Sequence, residues 1–217
     1  MNQIKKRNYF PKIVTFNAKD HQMSTDLILK NVSRHIALDG KETEFFVSLL
    51  DSKRLEKKQV YLKAGTICKY SAFVIDGALK SFTVDKEGKE HILSFAMRDW
   101  WIADMYSYIS RMPSILTIEA IADSDVLLLS YENQQELYQR VPKFERFFRI
   151  LVENSLVASQ QRLIDNLSSS AEERYLQFIR KYPAVPSCVP QHNIASYLGI
   201  TPEFLSKIRG RLAKKKR

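Results

Sequence analysis

The stretch Gln191–Leu212, QHNIASYLGITPEFLSKIRGRL, decides the fold. It holds two short apolar repeats of helical spacing on either side of one glycine. Ile194 and Leu198 fall on the inner side of the first helix, and Ala195 stands where another helix comes close. Gly199 supplies the turn, because a positive φ is cheap only without a Cβ. Thr201 is a good N-cap and Pro202 suits the first helical position. Leu205, Ile208 and Leu212 then form one buried stripe, leaving Glu203, Lys207 and Arg211 outward. A small residue at Ala195, Gly199 four positions on, and apolar residues at Ile194, Leu198, Ile200, Leu205 and Ile208 make a helix-turn-helix. The second helix of that motif enters the major groove of DNA. An αα-hairpin inside a helical core is the plainer reading, and the basic outer face counts against it.

The charge distribution points the same way. The 217 residues hold 34 Lys+Arg and 24 Asp+Glu, a formal charge of +10. Residues 1–24 carry +4, residues 25–159 carry −1 and residues 160–217 carry +7. A basic segment at one end of a neutral protein is the footprint of nucleic-acid binding. A solvated tail is the bland alternative, since Lys214–Arg217 alone supplies +4. A hydrophobic share of 45% with 27% charged residues excludes a fully disordered chain. The apolar runs, such as Val126–Leu129, are far short of the roughly 20 residues a bilayer needs, so no membrane association is expected. No apolar stretch follows the basic N-terminus, so no secretory signal is visible. The two cysteines, Cys68 and Cys188, form no metal-like pair, and a cytoplasmic protein without disulfides is expected.

Upstream, residues 1–24 show no period and are expected to be a poorly ordered arm. Asp26 to Leu50 has helical spacing broken at Asp39-Gly40. From Leu55 to Tyr131 short strand-like runs recur: Gln59–Leu62, Ala72–Ile75, Leu79–Val84, His91–Phe95, Leu116–Ile121 and Val126–Ser130. Asp85–Gly88 reads as a hairpin loop, and Trp100–Ser110 as a short helical or looped insert. Six such runs suggest a β-sandwich or jelly-roll barrel. After Val141-Pro142 a helix runs to about Leu167, with Phe144, Phe147, Phe148, Leu151 and Val152 on more than one face. Such a helix needs two partners: its own barrel is one and a second copy of the chain the obvious other, against the plainer reading of a helix buried wholly within one chain. Ser170 and Glu173 fit a capping box, and Pro183, Pro186 and Pro190 punctuate a linker.

Taken together, the chain from about residue 25 resembles the Crp/Fnr family of bacterial transcription regulators. The resemblance is carried by the helix-turn-helix and by Ile75–Leu79, Gly88–Ile92 and Pro142–Phe144. Trp100–Ser107 and Ile200–Glu203 look like the branch found in Bacteroidetes-type bacteria. The resemblance implies an α+β chain: a cyclic-nucleotide-binding-like β-roll over 25–140, a dimerisation helix over 141–168 and a helix-turn-helix domain over 169–217. It implies a non-enzymatic regulator that binds a near-palindromic duplex site as a homodimer, with RNA polymerase a candidate partner. Glu203 and Lys207 fall at the family's base-reading positions; the third, usually an arginine, holds Pro202. Phe204 either touches a thymine methyl or packs. Gln191, His192, Ser206, Arg209 and Arg211 read as phosphate contacts, beside the N-cap Thr201. The family's wing hairpin is expected to be missing or cut short, since the sequence stops at Arg217.

The effector pocket departs from the family pattern. The Gly-Glu pair that holds a ribose becomes Ala103-Asp104, and the phosphate-gripping Arg and its neighbour become Ser114-Ile115. The helix residues facing a purine become Ser159 and Gln160, and Trp100, Trp101 and Tyr106 are candidate lining residues, though aromatic residues at such a place are more often core. Losing the arginine weakens a phosphate ligand by roughly 1.5–3 kcal/mol. Tight cAMP binding is therefore not expected, no cofactor is implied, and the effector is unknown. Arg111 could substitute only in a rebuilt loop. An iron–sulfur sensor needs about four cysteines, and a haem sensor an axial ligand; His91 reads as a strand residue. A cupin-type metal enzyme fails for want of barrel histidines. The remaining rival is a small-molecule-sensing module that acts through protein partners.

Overall fold

A computed structural model describes residues 18–215, with side chains from 24 to 214. Helix α1 (Ala18–Ser33) leads to α2 (Gly40–Ser48). Asp39 caps α2 with a capping box, accepting from the Glu42 amide at 2.9 Å while Glu42 accepts from the Asp39 amide at 2.9 Å. The first helix thus begins inside the stretch expected to be an arm; residues 1–17 lie outside the described residues.

Eight strands follow, with one helix among them: β1 (Leu50–Leu55), β2 (Val60–Leu62), β3 (Tyr70–Asp76), β4 (Ala78–Val84), β5 (Glu90–Met97), β6 (Trp101–Ile102), α3 (Met105–Ser110), β7 (Thr117–Ala120) and β8 (Ser124–Ser130). They form two antiparallel four-stranded sheets, ordered β1-β8-β3-β6 and β2-β7-β4-β5. Two packed sheets are what the strand rhythm predicts, and they form the β-roll that the resemblance implies. Leu55, Ala72, Val74, Leu79, Ile118, Val126 and Leu128 fill the space between the sheets.

The alternate residues of β3 and β8 are buried too. Phe73, Ile75, Leu127 and Leu129 pack outward against Ile28 and Val32 of α1 and Phe46 of α2. Two covered faces explain why these strands read as unbroken apolar runs. The same cluster takes in α4 (Tyr131–Arg140), through Leu137, and the start of α5 (Lys143–Ser168), through Phe144 and Phe147.

The last elements are α6 (Ala171–Lys181), α7 (Val185–Cys188), α8 (Gln191–Tyr197) and α9 (Pro202–Lys215). Ser170 and Glu173 form the expected capping box of α6. The linker expected between prolines contains the single-turn α7. These helices do not stand apart from the β-roll. Tyr175, Phe178, Ile194, Ala195, Leu198, Leu205 and Ile208 share one apolar cluster with Phe82 of β4 and Ile92, Phe95 and Met97 of β5.

Candidate nucleic-acid interface and effector pocket

Gly199 has φ +67, so the turn between α8 and α9 uses the left-handed backbone its sequence allows. The Ile200 amide bonds back to the Ala195 carbonyl at 3.0 Å, closing the turn. Thr201 caps α9, its hydroxyl accepting from the Phe204 amide at 3.2 Å. Leu205 and Ile208 are fully buried, and they fix which side of α9 faces water. Glu203, Phe204, Ser206, Lys207, Arg209 and Arg211 all lie on the exposed side, as do Gln191 and His192 at the start of α8. At 100° per residue Glu203, Phe204, Lys207 and Arg211 share one side of α9, and Ser206 and Arg209 lie on its flank.

Two of them are already engaged. Hydrogen bonds from its own amide and from the Thr201 hydroxyl, with Lys207 nearby, hold the Glu203 carboxyl below its ordinary range, so it stays ionised but folded back on the helix start. Arg211 lies 3.6 Å from Glu172 of α6. Phe204, Lys207, Gly210, Arg211 and Lys214 line a shallow groove along α9. Lys214, which sequence reasoning counted only as tail charge, therefore belongs to this surface.

Two further residues escaped the sequence reading. The Ser196 hydroxyl donates to the Glu90 carbonyl at 2.8 Å and accepts from the Ile92 amide at 3.2 Å, stitching α8 to β5. Arg162 of α5 reaches the carbonyls of Ile92 at 2.9 Å and Tyr197 at 2.8 Å. Neither residue has a local signal, because both act across long sequence separations.

The candidate effector site is built around Asp104 and Ser114. Asp104 is buried, and one carboxylate oxygen caps α3, accepting from the Tyr106 amide at 3.1 Å. The Ser114 hydroxyl donates to the other oxygen at 2.5 Å. The Ser107 hydroxyl accepts from the Cys68 amide at 2.9 Å and donates to the Met112 carbonyl at 2.6 Å, and burial raises the Cys68 thiol above its usual range. A carboxylate thus occupies the helix start that would face a phosphate. Arg111 does not replace the missing arginine: it is paired with Glu132 at 3.2 Å and stacked 4.5 Å over the Tyr131 ring.

Trp100 and Trp101 need correction as lining residues. The Trp101 ring packs 5.2 Å from Phe73 and 5.5 Å from Phe148, and its indole N–H donates to Asn31 at 3.3 Å. Trp100 packs edge-on against Tyr182 at 5.3 Å, between the β-roll and α6. Both are partly buried and pack against the apolar clusters, where their aromatic area is used. Ala103 is half-buried, whereas Tyr106 and Ile115 are exposed. Ser159 and Gln160 are exposed on α5, and the Ser159 hydroxyl bonds back to Ser155 of its own helix at 2.8 Å.

Along α5 burial changes abruptly. Phe144 and Phe147 are fully buried, yet Val152, Leu156, Leu163 and Leu167 are exposed. At 100° per residue these four fall within a stripe of about 60°, with Val157 and Ile164 exposed beside it.

Residues 52–141 match the family of the cyclic nucleotide-binding domain. The chain is 25% identical over 189 residues to the anaerobic regulatory protein of Pasteurella multocida, covering 82% of this chain and 68% of that one. Among solved structures it resembles FixK2 from Bradyrhizobium japonicum, at 19% identity and a TM-score of 0.67, covering 77% of this chain and 86% of that one. It also resembles the catabolite activator protein of Thermus thermophilus, at 19% identity and a TM-score of 0.53, covering 83% and 86%. The relatives are regulatory proteins by name.

Proposed function

We propose that this chain, a member of the Crp/Fnr family of transcription regulators, binds duplex DNA as a homodimer, with α9 in the major groove. The observation that carries this reading is the exposed polar side of α9 above fully buried Leu205 and Ile208. Lys207 donates to a base edge; Glu203 accepts from a cytosine amino group once it leaves Thr201. Gln191, His192, Ser206, Arg209, Arg211 and Lys214 contact phosphates and set the register.

The exposed stripe of α5 supports the dimer. A second α5 covering Val152, Leu156, Leu163 and Leu167 removes apolar surface that a lone chain leaves in water. Two α9 helices related by that axis would read two half-sites about one turn of DNA apart.

The β-roll does not bind cAMP tightly under this reading, because the Asp104 carboxylate closed by Ser114 would repel a phosphate. Calorimetry with cAMP tests this point, and sub-micromolar affinity would overturn it. The DNA reading is tested by fluorescence anisotropy with the duplex upstream of its own gene across a salt series. Affinity is expected to fall linearly on logarithmic axes as salt rises. Flat salt dependence, or no binding in dilute buffer, would sink it.

A further inference from the structure

Arg162 stands where three parts of the molecule meet. It belongs to α5, and its guanidinium donates to the carbonyls of Ile92 and Leu93 in β5 and of Tyr197, the last residue of α8. Strand β5 lies at the edge of its sheet beside β4, so its outward carbonyls have no further strand to meet. The Tyr197 carbonyl lies in the last turn of α8, where helix carbonyls run out of amides. One planar fork thus satisfies acceptors on a sheet edge and on a helix end together. The guanidinium also lies 4.0 Å over the Tyr197 ring, whose centroid is 5.3 Å from Phe95 of β5 and 5.3 Å from Phe178 of α6.

Stability is a poor reason for an arginine here. Burial pushes its guanidinium below the ordinary value, its Nε–H is buried without an acceptor, and its three hydrogen bonds end on neutral carbonyls. A well-packed apolar side chain fills such a place as favourably. What the arginine supplies is geometry, and two placements make that geometry count. Tyr197 comes two residues before Gly199, whose φ of +67 turns the chain into α9, so a fixed Tyr197 fixes the direction of α9. Leu163, the next residue along α5, is exposed in the apolar stripe. One turn of α5 therefore carries both the proposed subunit contact and the grip on the reading head.

We infer that Arg162 is a positioning residue for DNA recognition: it sets the distance and angle between the two α9 helices of a dimer, and with them the spacing of the half-sites the protein selects. The inference rests on the DNA reading of α9 and adds to it what determines spacing, as distinct from half-site sequence. Arg162 acts through Tyr197 and touches no base. Glu203 and Lys207 read the same half-site in any register, and the clasp on Tyr197 presents them to the duplex in one.

Selection from a pool of duplexes with a randomised core tests the assignment, using the full chain, Arg162→Met and Arg162→Lys. The wild type is expected to enrich one half-site sequence at one spacing. Both variants are expected to enrich the same half-site over several spacings, since a lysine keeps the charge without the fork. A duplex carrying a single half-site is expected to bind all three proteins alike. Without DNA, exchange of the Ile92 amide, which donates to Ser196 across the seam, is expected to quicken in both variants. One unmoved spacing in either variant, or unchanged Ile92 exchange, overturns the inference. Loss of single half-site affinity in both variants makes Arg162 a folding residue and overturns it too. Enrichment with unmoved spacing leaves the DNA reading standing, whereas no enrichment by the wild type ends that reading and this inference with it.

Discussion

Gly77, between β3 and β4, has φ +84, and a Cβ there would lie 2.4 Å from the Asp123 carbonyl oxygen and 2.3 Å from the Ser124 hydroxyl. Gly77→Ala combines a left-handed backbone with a main-chain clash, so a loss of about 2–4 kcal/mol is expected in urea denaturation. The turn was legible in Asp76-Gly77; the crowding was not, because it comes from a strand far along the chain. The same division holds at the interface. Lys207 was legible because helical spacing sets its face once Leu205 and Ile208 are inside. Lys207→Ala is expected to weaken duplex binding by about 1–3 kcal/mol if it meets a base, and to relax specificity at one position. A uniform loss across sequences with a salt slope lower by about 1 would make it a phosphate contact. The tryptophans stood between pocket wall and core in the sequence, because ring composition alone cannot tell one from the other. Only the contacts of Trp101 with Phe73 and Asn31 do.

At the scale of elements, the helix starts are written locally and were readable. Capping boxes at Asp39 and Ser170 need only neighbouring residues. They also bear on acid stability. A hydrogen bond from Lys143 and one from the Asp39 amide hold Glu42 below its usual 4.5, and the Ser170 hydroxyl and amide do the same for Glu173. Folding therefore favours the ionised forms. The stability these carboxylates contribute is full above the unfolded value and is lost as pH falls through the lowered folded values. Denaturation midpoints are expected to drop between pH 5 and about 3, and Glu42→Gln should flatten part of that slope. Strand β1 falls between the helical spacing that ends at Leu50 and the strand texture that starts at Leu55, and the sequence gives it no assignment. Only Leu55 in it is fully buried, and what makes it a strand is pairing with β8, Leu50 opposite Leu129 through Leu55 opposite Ser124. Two-residue β6 likewise exists through its pairing with β3 and carries too little pattern to find.

For the whole molecule, the proposed dimer rests on α5. Leu156→Arg with Leu163→Arg places two charges in the exposed stripe and should leave a folded monomer by light scattering, with duplex affinity lowered by at least about tenfold. A double variant that stays dimeric would put the contact elsewhere. The order β-roll, long helix, helix-turn-helix was legible because each part has its own periodicity. The docking of the last part on the first was not, since Ser196 and Arg162 make their contacts through main-chain atoms of residues far away in sequence.

That docking has a mechanical corollary. The reading head and the sensor wall are two sides of a single oily seam, running from Phe82 and Ile92 to Ile194 and Leu198. Swinging the head would wet that seam, so any signal that reorients it must either supply a new lining or peel the head away at a steep cost in free energy. Heating should accordingly melt sensor and head as one cooperative unit, in a single calorimetric peak.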